Sequence, residues 1–397
     1  MLIEIILALL LGCTAGTFTG LTPGIHINLV ATTILVLIPL TQFPITAILI
    51  FITAMAITHT FVDFIPSIFL GAPDEDTGLG VLPGHEFLLK GQGHQAIKLT
   101  TLGSTIAIIL LTLIIPIFLF TIPKIYPFIE RMLGIFLIWI VIILIFQEKK
   151  GKIKAIIIFT LAGFLGIASM NLNISQPLLP LLTGLFGAST IINSIKSKTK
   201  IPLQKIEKIE ITKKELIKPI IATILVSPIC SFFPGLGSSQ AAVTGSKITG
   251  DLNNEQFLIL LSSINTLVMS VSFVTLFLIQ KSRTGAAAAI SQITQLNQNL
   301  FLIILTTTFI TTLFAIPLTI QLSKLFAKNI HKIPYTKISS IILIFLVIII
   351  LIFSNFKGLL FFIVATILGL TCIEFQTRRS FLMGTILIPT ILFYLPF

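Results

Sequence analysis

Two Pro-Gly pairs, Pro23-Gly24 and Pro234-Gly235, interrupt long apolar runs about half a chain apart. A helix that restarts after such a pair leaves its first backbone N–H groups without intrahelical partners and directs the positive end of its dipole at the break. That arrangement favours an anion, and a carboxylate in particular. The predicted substrate site at and after the breaks consists of Pro23, Gly24, His26, Asn28, Pro234, Gly235, Gly237, Ser238, Ser239 and Gln240. The alternative is that each pair marks an ordinary turn outside a membrane.

A second set of candidates consists of polar residues in or beside apolar runs, where charge is costly and usually functional. His59 and Asp63 are four apart, so they share one face of a helix. They could carry a proton or help to hold a cation, or they could satisfy each other as a structural pair. Arg283 follows an apolar run, and because its planar fork matches a carboxylate we predict that it contacts the substrate. Asn265 and Thr266 could line a pathway or bond across helices.

The composition indicates that these residues are embedded in a membrane protein. Of the 397 residues, 55% are hydrophobic and 10% are charged, and the mean hydropathy is +1.09, which is far from the values of a soluble domain. The net charge of +12 comes from lysines in short segments between apolar runs, so it indicates membrane topology rather than nucleic-acid binding. The three cysteines lie inside apolar runs at spacings that suit neither a metal site nor a disulfide framework.

A helix needs about 20 apolar residues to cross a hydrocarbon core of about 30 Å. On that basis about ten segments are predicted to cross the membrane: 44–66, 99–122, 126–146, 153–172, 175–194, 256–280, 297–323, 338–355, 357–375 and 380–397. Two further segments, 2–40 and 219–249, are too long and too interrupted for one crossing each. We predict that each is a re-entrant hairpin, which dips into the membrane around its Pro-Gly pair and returns to the same side.

Charge placement orients these elements. Four basic loops are predicted to be cytoplasmic: Lys149 to Lys154, 196–218, Lys324 to Lys337, and Arg378-Arg379. Each half then contains one hairpin and five crossings, and an odd number of crossings inverts the second half relative to the first. The predicted fold is an all-α polytopic membrane protein with two inverted-topology repeats, 1–195 and 219–397, and a basic cytoplasmic connector, 196–218. Inverted hairpins bring their tips together near the middle of the bilayer, as in secondary transporters.

Three stretches of sequence match a known pattern. They are Leu21-Thr22-Pro23-Gly24, the block from Phe69-Leu70-Gly71-Ala72-Pro73 to Leu102-Gly103-Ser104, and Phe233-Pro234-Gly235-Leu236-Gly237. Together they resemble the large permease subunit of tripartite tricarboxylate transporters. The resemblance implies cation-coupled uptake of carboxylates, with a small membrane subunit and an extracytoplasmic binding protein as partners.

These observations predict a secondary active transporter in the cytoplasmic membrane. It would move a small organic carboxylate, of the di- or tricarboxylate class, with H⁺ or Na⁺ as the coupling ion and no other cofactor. An enzyme is not expected, because the sequence contains neither His-Glu-x-x-His nor Gly-x-Ser-x-Gly, and it has no phosphate-binding Gly-x-x-x-x-Gly-Lys-Ser/Thr loop. The alternative classes are a passive anion channel and a lipid-handling membrane scaffold.

Overall fold

The structure is a computed structural model. It describes residues 2–22, 43–71, 77, 80–146, 148, 151–172, 174, 176–196, 201–207, 211–232, 237–250, 252–332 and 335–395. The predicted site residues Pro23, Gly24, His26, Asn28, Pro234 and Gly235 lie outside the described residues.

Every regular element in this part of the chain is helical. In chain order the helices are α1 (Leu2–Leu21), α2 (Ile45–Val62), α3 (Phe64–Leu70), α4 (Val81–Leu89), α5 (Gly93–Phe146), α6 (Lys152–Asn171), α7 (Leu178–Leu182), α8 (Ser189–Lys196), α9 (Lys213–Phe232), α10 (Ser238–Ile248), α11 (Asn254–Ile279), α12 (Gly285–Ile293), α13 (Gln298–Asn329), α14 (Tyr335–Glu374) and α15 (Gly384–Tyr394). A π-helix, Thr183–Ala188, lies between α7 and α8. Short 3₁₀ turns, Ile330–Lys332 and Arg379–Met383, follow α13 and precede α15.

Seven helical segments in the described residues are long and apolar enough to cross a membrane, so the chain is a multi-pass membrane protein. They are Leu2–Leu21, Ile45–Leu70, Gly93–Phe128, Lys152–Asn171, Asn254–Ile279, Gln298–Lys332 and Ser339–Glu374. Shorter apolar helices, Leu178–Asn193 and Arg379–Tyr394, occupy the segments predicted to cross at 175–194 and 380–397.

The helices differ from the predicted crossings at two places. α5 continues for 54 residues across the boundary between the predicted crossings 99–122 and 126–146. It contains Pro123 and Pro127, and proline is tolerated inside membrane helices when neighbouring groups satisfy the freed carbonyls. α14 joins the predicted crossings 338–355 and 357–375, and its one non-helical residue is Asn355, with φ 58° and ψ −171°.

The helices α2 and α11 form the centre of the structure. In the apolar cores of the two spans that contain them, 83% and 94% of the residues are buried, against 22–39% in the other five spans. Ile52, early in α2, shares a hydrophobic cluster with Phe273, late in α11, whereas Ile65 shares another with Leu258. The two central helices therefore run antiparallel. Each also packs against a long helix from the other half of the chain, α2 against α13 and α11 against α5.

Helix α1 packs on α2 through a face of small residues, Gly12, Gly16 and Gly20. A Cβ added at Gly16 would overlap the carbonyl oxygen of Met55, and one at Gly20 would lie 2.9 Å from the Cβ of Val62. Small residues at every fourth position allow membrane helices to approach this closely. Because later residues of α1 meet later residues of α2, the two helices run parallel, and α1 ends beside the end of α2.

Helices α9 and α10 pack against each other and against α11. At the start of α9, the N–H and the hydroxyl of Thr212 each donate a 2.8 Å hydrogen bond to Oε2 of Glu215. These bonds hold the pKa of Glu215 below its usual range. The Nε2 of Gln256 donates to the carbonyl of Glu215 over 3.1 Å, so the starts of α9 and α11 lie side by side.

Part of the predicted connector lies against the junction of α4 and α5. The Oε1 of Gln204 accepts a 2.8 Å hydrogen bond from the N–H of Gly93, and the N–H of Lys205 donates to the carbonyl of Gly91 over 2.7 Å. Gly91 has a φ of 77°, a left-handed conformation that glycine adopts without steric cost. These bonds attach the connector to the first half of the chain.

Arg379 is buried, although the sequence places it with Arg378 in a basic loop. Its side chain is 6% exposed, and its Nη2 donates to the carbonyls of Leu185 and Phe186 over 3.2 and 3.1 Å and to the hydroxyl of Ser189 over 2.6 Å. The guanidinium therefore joins the start of the α15 segment to the π-helix and α8, and only Arg378 is left as an accessible charge of that loop.

Candidate functional site

The helical path is irregular at Asp63, which separates α2 from α3. Asp63 keeps helical dihedral angles, with φ −59° and ψ −21°, and its N–H donates to the carbonyl of His59 over 2.9 Å. Three residues later Pro66 has no N–H, so it cannot bond the carbonyl of Val62 as a regular helix requires. The sequence therefore places the irregularity next to the carboxylate.

His59 connects α2 to the end of α1. Its Nδ1 lies 3.0 Å from the Oγ1 of Thr19, and both residues are buried. The Thr19 hydroxyl also donates to the carbonyl of Gly16 in its own helix over 3.1 Å.

Asp63 connects α2 to α11. The Nδ2 of Asn265 donates a 2.8 Å hydrogen bond to the Oδ2 of Asp63, and the two residues are each 3% exposed. Asn265 lies at the middle of α11, so the carboxylate is held at the centre of the most buried helix of the protein.

Three hydroxyl groups beside this pair connect α2, α11 and α5. The Oγ1 of Thr266 lies 3.2 Å from the Oγ1 of Thr60 and 2.8 Å from the Oγ of Ser104. All three residues are buried, with at most 1% of their surface exposed. Ser104 comes this close because Gly103 allows α5 to approach the backbone of α11 at Ile259. We refer to Thr60, Asp63, Ser104, Asn265 and Thr266 as the polar centre.

The predicted site residues of the second hairpin lie at the start of α10. Gly237 is the N-cap residue, and Ser238 and Ser239, each 1% exposed, begin the helix, followed by Gln240 in its first turn. Gly245 of α10 packs against Leu260 of α11. The start of α10 lies two turns before Gly245, roughly 10 Å along the helix axis. Because α10 runs back along α9 and α11, its start reaches about the depth of the polar centre.

Arg283 is not brought to the polar centre by its own helix. It follows the end of α11, and the last residue of that helix lies roughly 20 Å along the axis from Asn265. Arg283 is half-buried there, next to Thr284, whose hydroxyl caps α12 by accepting from the N–H of Ala287 over 3.3 Å. The Thr284 hydroxyl also lies 2.7 Å from that of Ser272.

The structure thus brings Asp63 together with Asn265 and His59 together with Thr19, and it adds Thr60, Ser104 and Thr19, which were not predicted. Serine and threonine in a membrane helix carry a weak signal, because their hydroxyls can bond the carbonyl of the preceding turn. In the sequence, only the position of Thr60 between His59 and Asp63 could have pointed to it. Ser104 could have been identified from the preceding Gly103, because glycine in a membrane helix indicates a close helix contact.

Ionisable and hydroxyl groups gathered inside the most buried helices of a multi-pass membrane protein are the mark of a protein that passes polar solutes across a membrane. Residues 6–384 match the model of the Tripartite tricarboxylate transporter TctA family. The chain belongs to this family, as the resemblance of its Pro-Gly stretches predicted, and it is a membrane-spanning transporter subunit.

The chain also has a relative that matches over nearly its whole length. The chain is 30% identical over 407 residues to Uncharacterized protein MJ1079 of Methanocaldococcus jannaschii, and the match covers 98% of this chain and 99% of that protein. No solved structure matches the chain.

Proposed function

We propose that this protein is the permease of a secondary active transporter, which moves a small organic carboxylate of the di- or tricarboxylate class into the cell together with H⁺ or Na⁺. The main support for the proposal is the hydrogen bond from Asn265 to Asp63. A carboxylate at the centre of a membrane domain is energetically unfavourable, and such residues are usually functional. The family supports the substrate class.

The packing of the helices supports two repeats. When α1, α2, α4 and α5 are exchanged for α9, α11, α12 and α13, most of the packing pairs among these helices become packing pairs that the structure also contains. Thus α2 against α13 becomes α11 against α5, and α2 against α12 becomes α11 against α4. The antiparallel central helices are what inverted repeats require, and alternating access would arise from one group of helices rocking against the other.

Helix directions support the re-entrant hairpins. α1 runs parallel to α2 and ends beside Val62 and Asp63, at the depth of the polar centre, whereas α2 begins at its far end. α1 and α2 therefore begin on the same side of the membrane domain. In the second half, α9 and α10 pack against each other. The two sets of predicted site residues, from Pro23 to Asn28 and from Pro234 to Gln240, would present backbone N–H groups to the carboxylate, with Arg283 as a further contact on its route.

The family and the exposed apolar surface support a set of partners and a cellular location for the subunit. A small membrane subunit and an extracytoplasmic binding protein would complete the system, and the cytoplasmic membrane would be its location. Many large apolar side chains on the outside are exposed, such as Phe120 at 74% and Trp139 at 63%, which suits contact with lipid or a membrane partner.

Uptake by proteoliposomes tests the proposal. The chain, purified with whatever subunits remain bound to it, is reconstituted and offered labelled di- and tricarboxylates with an inward Na⁺ or H⁺ gradient. A carrier accumulates substrate above its external concentration, and an ionophore that collapses the gradient abolishes the accumulation. Flux that only follows the gradient of the substrate would indicate a passive channel, and the absence of any carboxylate flux would indicate a scaffold.

A further inference from the structure

We propose that the start of α5 and the end of α13, on the side predicted to face the cytoplasm, form a binding site for an oxyanion. The contacts for its carboxylate or phosphate group are His94, Lys98 and Lys324. The site is separate from the polar centre, because Ser104 follows His94 by ten residues on α5, roughly 15 Å along the helix axis. A role in releasing the transported carboxylate would rest on the proposed function, whereas the site itself rests on the surroundings of His94.

His94 is completely buried at the start of α5. Its Nδ1 lies 2.8 Å from the Oγ of Ser323, near the end of α13. The hydroxyl of Ser323 makes no other hydrogen bond with a described residue, so it can donate to Nδ1 and leave the ring proton on Nε2. The Nε2 is also buried, and it has no hydrogen-bond partner among the residues that the structure describes. Such a nitrogen is unfavourable in a protein interior, and an acceptor oxygen of a ligand would satisfy it.

Two lysines bring positive charge to the surroundings of this imidazole. Lys98 lies one helical turn after His94, on the same face of α5. Lys324 directly follows Ser323 on α13. The charges of both lysines act on His94, and the charge of Lys324 also acts on Lys98. Like charges in such proximity repel each other, so an anion between them would stabilise the arrangement.

In the described part of the chain, no carboxylate compensates these two ammonium groups. Lys98 donates to a neutral acceptor, the carbonyl of Glu207 in the connector, over 2.6 Å. The carboxylate of Glu207 lies 3.8 Å from the ammonium group of Lys205 instead. Lys324 is exposed and forms no ion pair with a described residue. The cluster therefore lacks the negative charge that an oxyanion would supply.

The three contacts suit an oxyanion in particular. A carboxylate or phosphate group has several acceptor oxygens, so one group can accept from both ammonium groups and from Nε2 of His94. It would replace the carbonyl of Glu207 as the acceptor for Lys98. The same positive charges disfavour a metal cation, although a neutral histidine can be a metal ligand.

A group of this chemistry can come from two sources. One is a carboxylate or phosphate dissolved on the cytoplasmic side. The other is the headgroup of an anionic lipid, because basic residues between membrane helices on the cytoplasmic side also bind such headgroups. Lys324 is next to Leu325, whose side chain is 58% exposed on the apolar outside of α13, so a lipid can approach it.

Thermal unfolding of the purified full-length protein in lipid-free detergent tests the site. Inorganic phosphate is the probe, and stability is compared with that in chloride at equal ionic strength and equal pH. We expect a saturable rise of Tm with phosphate. Lys98→Gln and Lys324→Gln should each raise the half-saturating phosphate concentration about 5-fold or more, because each removes a charge-assisted contact.

Lys328→Gln is the matched control, since it removes the same charge from an exposed side chain one turn further along α13. Its response to phosphate should equal that of the wild type. In chloride alone, Lys324→Gln should unfold at or above the Tm of the wild type, because the repulsion of Lys98 is relieved. A purely structural role of Lys324 would lower that Tm instead. Size-exclusion chromatography shows which variants are folded.

Reconstitution into vesicles identifies the source of the anion. The vesicles contain either phosphatidylcholine alone or an equal mixture with phosphatidylglycerol. Stabilisation by phosphatidylglycerol that is lost in Lys324→Gln and kept in Lys328→Gln would support the site and assign it to a lipid headgroup. Stabilisation by dissolved phosphate, with no effect of phosphatidylglycerol, would support it and assign it to a soluble oxyanion.

The remaining outcomes separate this inference from the proposed function. Equal Tm values in phosphate and chloride, or a phosphate response that Lys98→Gln and Lys324→Gln leave unchanged, would overturn the site. Phosphate binding in a protein that transports no carboxylate would support the site and contradict the transport function. Carboxylate uptake by Lys324→Gln at the rate of the wild type, with phosphate binding lost, would support the site and overturn its role in release.

Discussion

The carboxamide of Asn265 donates a 2.8 Å hydrogen bond to the carboxylate of Asp63, and the two residues are 202 positions apart in the chain. The bond joins the two most buried helices, one from each half of the protein. Movement of one half against the other must either carry this pair along or break it. A charge bound next to Asp63 is therefore well placed to influence the position of the helices.

Asn265→Ala should destabilise the protein, because the buried carboxylate loses a donor. A hydrogen bond to a charged group contributes about 1.5–3 kcal/mol, so we expect a loss of that size in the free energy of unfolding. The measurement is a double-mutant cycle with Asp63→Ala, which removes the acceptor, followed by thermal or denaturant unfolding in detergent. If the two substitutions were simply additive, the bond would have no energetic role.

The inverted topology predicts that equivalent loops lie on opposite sides of the membrane. Lys90 lies between α4 and α5, and Gln295 lies between α12 and α13, the corresponding place in the second half. In Lys90→Cys and Gln295→Cys, an impermeant thiol reagent should label position 295 from outside intact cells and position 90 only from the cytoplasmic side. The native thiols are buried, so the unsubstituted protein provides the background. Labelling of both positions from one side would rule out inverted repeats.

The sequence predicts the class of the protein and much of its helical content, because burial in lipid demands long apolar helices whatever their partners are. It also identifies His59 and Asp63, since a spacing of four places two ionisable groups on one helix face. Their partners Thr19 and Asn265 come from other helices. Such pairs depend on tertiary packing, which a single sequence does not contain.

The remaining differences have physical reasons as well. The sequence predicts separate crossings at 99–122 and 126–146, yet α5 continues between them, because the rest of the helical ladder is intact around the missing N–H groups of Pro123 and Pro127. Arg379 looks like a loop charge in the sequence, but carbonyl groups of the π-helix accept its hydrogen bonds inside the protein. Both cases depend on backbone groups of neighbouring helices, whose positions the side-chain pattern does not reveal.

Gradient-driven uptake by the Asp63→Asn variant tests the central claim most directly. The account predicts that the variant folds, because an amide can pair with the Asn265 amide. It also predicts that the variant fails to accumulate labelled carboxylate in proteoliposomes under the Na⁺ or H⁺ gradient that drives accumulation by the wild type. Accumulation by Asp63→Asn equal to that of the wild type, with the same response to collapse of the gradient, would contradict the account.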